Sequence, residues 1–71
     1  MFQQVTVPFK ISLRAARVNA KLSQKQAATA LHISQKTLIN YESGETIPNW
    51  ETVDNMSHLY GIPVEHLFFG R

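Results

Sequence analysis

The chain has 71 residues and a formal net charge of +2; 44% of its residues are hydrophobic and none is a cysteine. These values indicate one globular domain in the cytoplasm, and they exclude a disordered tail, a disulfide scaffold and a thiolate zinc site. No apolar run approaches the roughly 20 residues of a membrane span, so we expect neither a membrane segment nor a secretion signal.

The N-terminal residues 1–9 alternate loosely in polarity and contain Pro8, which predicts a short extended arm. Residues 10–71 are predicted to form one domain. Its first helix is expected over residues 10–19, because this stretch has no Gly or Pro and places most of its apolar residues at helical spacing.

Two serines predict where the next two helices begin. Ser23 and Gln26 form a capping box at the start of a helix that runs through Leu31. Ser34 is the N-cap of a third helix that runs to Gly44, a residue typical of helix ends. The break between these two helices is very short.

A fourth helix is expected after Asn49, another favourable N-cap. It carries apolar residues at steps of three and four, which should face the core. They are Trp50, Val53, Met56, Leu59 and Tyr60. Gly61 ends this helix, and residues 64–69 form a last short helical turn. The sequence therefore predicts an all-α, compact bundle of five short helices.

The second and third helices, with their tight connection, have the pattern of a helix-turn-helix. Ala27 and Ala28 are small enough for the two helices to cross closely. Four apolar residues have the spacing to hold the pair together, namely Leu31, Ile33, Leu38 and Tyr41. The opposite face of the third helix carries hydrogen-bonding side chains, which are Gln35, Lys36, Thr37 and Asn40.

The stretch LSQKQAATALHISQKTLINYESGETIP, followed by GIPVEHLFFG, resembles the phage repressor and Cro-type helix-turn-helix family, also called the XRE family. The resemblance covers residues 11–70, and it depends mainly on Gln24 and Gln35 and on the ending Tyr41–Gly44 with Pro48. It implies a lambda-repressor-like fold. The residues themselves offer no nucleophile with a His and Asp partner, so we expect neither catalytic activity nor a cofactor. The resemblance also implies a transcriptional repressor that reads a short palindrome in double-stranded DNA.

The family pattern assigns roles to individual residues. Gln35, Lys36 and Asn40, with Thr37 beside them, match base-reading positions. Gln24 matches the residue that opens the second helix against the DNA backbone and buttresses the neighbouring glutamine. Further candidate backbone contacts are Arg14, Lys21, Ser23, Lys25 and Ser34. The alternative, that these are ordinary solvated positions, is less favoured because the base-reading set shares one exposed face.

Charge is divided along the chain: six of the seven cations precede residue 40, and all five acids follow it. This division can orient the domain on a polyanion, or it can be a chance asymmetry of a small domain. In the family, the positions of Arg17 and Glu42 form a partly buried ion pair, and a surface pair of under about 1 kcal/mol is the alternative. His32 stands where the family usually has Gly, and the loop Glu45–Ile47 lacks the usual basic residues.

The terminal apolar residues have two interpretations. Phe68 and Phe69, with Phe2 and Val5 of the arm, are candidate contacts of a homodimer, or the arm covers the same patch within one chain. A rival function is a protein-interaction module, such as an antitoxin, that uses this patch to bind a protein partner. The three histidines lack metal-ligand spacing, and we expect them to be structural.

Overall fold

The structure, a computed structural model, describes residues 10–68, which form seven short elements. In chain order these are strand β1 (Ile11–Ser12), helices α1 (Leu13–Asn19), α2 (Gln24–Leu31), α3 (Gln35–Ser43) and α4 (Trp50–Tyr60), a 3₁₀ helix (Val64–His66) and strand β2 (Leu67–Phe68). The predicted arm, residues 1–9, lies outside the described residues.

A polar side chain starts each of the four α-helices by accepting a hydrogen bond from the backbone amide three residues later. These caps are Ser12, Ser23, Ser34 and Asn49. At Ser23 the full capping box is present, because the Gln26 side chain also accepts from the Ser23 amide. Such caps satisfy amides that have no partner inside the helix, and each contributes about 1 kcal/mol.

The prediction of an all-α helix-turn-helix fold is confirmed, but the count of five helices is wrong. The last predicted helix is a three-residue 3₁₀ turn followed by strand β2. Pro63 makes no side-chain capping hydrogen bond, and Leu67 is already extended at φ −92° and ψ 133°. The first helix also begins later than predicted, at Leu13, because Ser12 caps it.

Strands β1 and β2 form a two-residue parallel bridge between the two ends of the described chain. Ile11 pairs with Leu67, and Ser12 pairs with Phe68. Successive side chains of a strand point to opposite faces. Accordingly, Leu67 is buried in the core while Phe68 is 44% exposed.

The core lies between the four helices and is completed by β2. Its buried members are Leu13, Ala16, Ala27, Ala28, Leu31, Leu38, Met56, Tyr60 and Leu67. The expectation that Trp50 belongs to this core is wrong, since Trp50 is 70% exposed. Trp50 is the first residue of α4. Pro48, which precedes the helix by two residues, is buried instead.

Candidate nucleic-acid interface

Helices α2 and α3 are joined by a three-residue turn that begins at His32. His32 has φ 61° and ψ 39°, the left-handed conformation expected where the family has Gly. The Ile33 amide then donates to the carbonyl of Ala28 at 3.0 Å, which closes the C-terminal end of α2. Ser34 caps α3 immediately afterwards.

The two helices pack closely because small side chains separate them. Ala27 is fully buried and Ala28 is 3% exposed, and both belong to the core cluster. Leu31 and Leu38 are buried with them, and Ile33 packs against the same cluster. This packing fixes the angle at which the outer face of α3 is presented to solvent.

The outer face of α3 carries Gln35 and Lys36, which are exposed, and Asn40, which is half-buried. None of these three side chains makes a hydrogen bond to another of residues 10–68. Thr37 differs, because its hydroxyl accepts a 2.8 Å hydrogen bond from Ser34 and its side chain is half-buried. Three of the four predicted base-reading side chains are therefore without an internal hydrogen bond in the described part of the chain.

The C-terminal end of α3 is held through the backbone of Asn40. Its carbonyl accepts from the amide of Glu45 at 2.9 Å, from the amide of Thr46 at 3.3 Å and from the hydroxyl of Ser43 at 3.2 Å. The Thr46 amide of the loop Glu45–Ile47 is therefore already engaged by the end of α3.

The starts of α2 and α3 are electrostatically favourable for anions. Neither helix has an acidic residue in its first turn, so the positive end of each helix dipole is not neutralised locally. Lys25 lies exposed in the first turn of α2, and Lys21 lies exposed just before it. Arg14 is exposed on α1. The hydroxyls of Ser23 and Ser34 are occupied as helix caps.

Gln24 makes a contact that the family pattern did not suggest. Its side-chain amide donates to Oε1 of Glu42 at 3.3 Å. No hydrogen bond joins it to Gln35 in the described part of the chain. Gln24 therefore ties the start of α2 to the end of α3.

Glu42 belongs to a buried polar cluster that fixes α3 against the first two helices. Arg17 donates to Glu42 through Nε at 2.6 Å and through a second guanidinium nitrogen at 3.3 Å. The remaining guanidinium nitrogen donates to the carbonyl of Leu22 at 2.9 Å. The side chains of Arg17 and Glu42 are only 9% and 5% exposed.

The hydroxyl of Tyr60 in α4 lies close enough to this cluster for the charges of Glu42 and Arg17 to affect it, a relationship that the sequence did not predict. The pKa of this hydroxyl is raised from 10.0 to about 12, chiefly by burial; the negative charge of Glu42 adds to this rise and the positive charge of Arg17 opposes it. The hydroxyl is buried and has no hydrogen-bond partner among residues 10–68. The sequence placed Tyr60 in the apolar stripe of α4, and that pattern does not indicate that the charges of Glu42 and Arg17 lie nearby.

The profile of the helix-turn-helix family matches residues 13–67, which span the four α-helices and the turn between α2 and α3. The chain belongs to the helix-turn-helix family. This confirms the resemblance to the phage repressor and Cro-type proteins. The match ends at Leu67, the buried residue of β2.

Three relatives are similar to this helix-turn-helix domain. The cryptic phage CTXphi transcriptional repressor RstR of Vibrio cholerae is 32% identical over 83% of this chain and 53% of its own length. The transcriptional regulator ImmR of Bacillus subtilis is 36% identical over 78% of this chain and 43% of its own length. The transcriptional activator BcrR of Enterococcus faecalis is 29% identical over 89% and 31%. The chain thus spans about half or less of each relative, and no solved structure matches it significantly.

The remaining predictions concern the terminal apolar residues, the location of the protein, a membrane segment and metal binding. Phe2, Val5 and Phe69 lie outside the described residues, and the cytoplasmic location stays a prediction. No helix within residues 10–68 is long and apolar enough to cross a membrane. Over the same range, no three His, Asp or Glu side chains are grouped as metal ligands.

Proposed function

We propose that this chain is a sequence-specific, double-stranded DNA-binding transcriptional regulator that acts as a repressor at a short palindromic operator. The observation that carries the proposal is the outer face of α3, on which Gln35, Lys36 and Asn40 have no hydrogen-bond partner within residues 10–68. Side chains left unengaged by the fold can bond to base edges without breaking internal contacts.

The dimensions of α3 suit the major groove. Its nine residues give a length of about 13 Å at about 1.5 Å per residue. The major groove is about 12 Å wide and accepts an α-helix. Gln35 and Asn40 can each bond adenine through two atoms, and Lys36 can bond the O6 and N7 of guanine.

Contacts to the DNA backbone complete the proposed interface. Lys25, Lys21 and Arg14 supply positive charge, and the starts of α2 and α3 supply backbone amides with an unneutralised dipole. These contacts position the domain and do not read sequence. Gln24 and Ser34 contribute through their backbone amides, since their side chains already serve the fold. Both the hydroxyl and the amide of Ser23 are occupied by the capping box.

We favour repression over activation. RstR, a relative that aligns with 83% of the chain, is named a transcriptional repressor. BcrR, whose alignment covers 31% of its own length, is named an activator. BcrR is about three times as long as the region that it shares with this chain, so the name activator applies to a much longer protein. Repression requires only that a bound domain blocks the promoter.

We also propose that the chain binds DNA as a homodimer. Helix-turn-helix dimers place two recognition helices about 34 Å apart, which matches one turn of DNA. Phe68 is 44% exposed at the end of β2 and is the described candidate for the dimer contact. Its substitution by Thr keeps a strand-forming residue in the bridge, and should shift the sedimentation coefficient from dimer to monomer.

A protein-interaction module remains the second candidate, because Phe68 is an apolar side chain that the domain leaves open. This second candidate function predicts a tight complex with a protein partner and no salt-sensitive binding to DNA. The two functions are distinguished by DNA binding at low salt, which the module alone does not require.

The decisive experiment is selection from a pool of random duplex DNA, followed by sequencing of the bound fraction. We expect an inverted repeat whose half-sites lie about 10 base pairs apart, centre to centre. A triple variant, Q35A/K36A/N40A, should enrich no sequence while keeping weak binding at low salt. The matched control is Asn55→Ala, an exposed position of α4, which should enrich the wild-type repeat. Enrichment of the same repeat by the triple variant contradicts base reading by α3.

A further inference from the structure

Ile39 is an apolar side chain that the fold leaves open on α3. It is 42% exposed, whereas its neighbour Leu38 is fully buried and Tyr41 packs against the core. Single exposed apolar residues are common on protein surfaces, so exposure alone does not indicate a function. The position of Ile39 on the helix carries the inference.

Ile39 lies within the polar face that we propose for base reading. It follows Gln35 by four residues and Lys36 by three, the separations at which helical side chains are neighbours. At about 100° per residue, its side chain lies about 100° around the helix from that of Leu38, between the side chains of Gln35 and Lys36. A helix that inserts Gln35 and Lys36 into the major groove therefore inserts Ile39 with them.

The major groove offers an apolar side chain one main partner, the C5-methyl group of thymine. Gln35, Lys36 and Asn40 bond to polar base atoms and cannot match a methyl group as well. Thr37 also carries a methyl group, but its side chain is half-buried and its hydroxyl is bonded to Ser34. Ile39 is larger, more exposed and free of such a contact.

We propose that Ile39 is a specificity-determining residue that contacts the C5-methyl group of a thymine in each half-site. This inference rests on the proposed function of the chain as a DNA reader. It adds an apolar contact to the polar readout and names the base that the contact selects.

The test replaces thymine by deoxyuridine, which lacks only the methyl group, one position at a time in the duplex that the wild-type chain enriches. Affinities are measured by fluorescence anisotropy for the wild type and for Ile39→Ala. At one thymine of each half-site, we expect loss of the methyl group to weaken wild-type binding about fourfold, the value of one buried methyl-sized group. With Ile39→Ala, the same replacement should have no effect.

Two controls separate this contact from general effects. Val18→Ala removes an apolar side chain that is 54% exposed on α1, and it should keep the wild-type response to deoxyuridine. Ile39→Ala should retain the wild-type melting temperature or exceed it, because Ala is the better helix former and the side chain is not packed in the core.

The outcomes distinguish the two proposals. If the wild-type chain enriches no sequence, the proposed function fails, and the role of Ile39 fails with it. If a repeat is enriched but the response to deoxyuridine is the same in the wild type and in Ile39→Ala at every position, DNA reading stands and the role of Ile39 is refuted.

Discussion

Nε of Arg17 lies 2.6 Å from Oε2 of Glu42, and both side chains are more than nine-tenths buried. This ion pair joins α1 to the end of α3. The same guanidinium holds the carbonyl of Leu22, and the same carboxylate accepts from Gln24. Helix α3 is therefore anchored at its C-terminal end by α1 and by α2, and the same arginine also holds the turn between those two helices.

Loss of this ion pair should destabilise the domain strongly. We expect Arg17→Met to lower the free energy of unfolding by about 3–5 kcal/mol, because it leaves the carboxylate of Glu42 buried without its counter-charge. Urea unfolding followed by circular dichroism measures the change. Arg14→Met, on the exposed side of the same helix, is the control and should change stability by less than about 0.5 kcal/mol.

The double variant R17M/E42L tests the cause of that loss. It removes both charges and should recover part of the stability lost in Arg17→Met, since no buried charge is left without a partner. A melt of Arg17→Met that matches the wild type would rule out a buried role for the pair.

The stability of the fold should fall at high pH through Tyr60. Its pKa is about 12 in the folded chain and 10.0 when unperturbed, so above pH 10 the unfolded chain loses a proton that the folded chain retains. This contribution to stability is complete below pH 10, and it decreases by about 1.4 kcal/mol per pH unit between the two pKa values.

Tyr60→Phe should remove this pH dependence. Urea midpoints of the variant should decline less than those of the wild type from about pH 9 to about pH 11. Near neutral pH the variant should be as stable as the wild type or more stable, because the lost hydroxyl is buried without a hydrogen-bond partner among residues 10–68. Tyr41→Phe serves as the control and should keep the contribution of Tyr60; parallel declines for Tyr60→Phe and wild type would contradict this assignment.

The turn between α2 and α3 should tolerate glycine at its first residue. His32 is left-handed, a conformation that costs a residue with a side chain about 1–2 kcal/mol. Glycine adds freedom to the unfolded chain, which offsets about 0.4–1 kcal/mol. We therefore expect His32→Gly to stabilise the domain by up to about 1 kcal/mol in urea unfolding. Ala30→Gly, inside α2, should destabilise it by about 1 kcal/mol; a loss at both positions would show that His32 makes a favourable contact.

Two lysines should differ in their effect on DNA binding. Lys25→Ala should weaken binding to all sequences alike and reduce the slope of log affinity against log salt by about 0.9, the effect of one phosphate contact. Lys36→Ala should relax the preference at one or two base pairs. Titrations over a salt series, with the enriched duplex and a scrambled one, measure both effects. Identical base preferences for Lys36→Ala and the wild type would refute its base-reading role.

Local signals in the sequence predicted the part of the fold that local interactions determine. Ser23, Ser34 and Asn49 start the helices where expected, because a cap bonds to an amide only three residues away. The turn at His32 was predicted from the shortness of the break and from the family pattern. The polar side chains of α3 were found for the same reason, since their spacing alone places them on one face.

Features that depend on distant parts of the chain could not be predicted in this way. Because Ile11 pairs with Leu67, part of the expected last helical turn is a strand. No local sequence pattern predicts a strand partner that lies so far away along the chain. Helical periodicity placed Trp50 in the core, but it does not reveal where the core ends. Tyr60 was correctly placed in an apolar stripe, while its proximity to the charges of Arg17 and Glu42 depends on how α4 packs.

The exposure of Trp50 has a practical consequence for spectroscopy. It is the only tryptophan of the chain, and it is 70% open to solvent in the folded domain. Its fluorescence should change little when the domain unfolds, because the indole is in water in both states. A blue shift of the emission will instead report that a ligand or a partner has covered the start of α4, without any attached label.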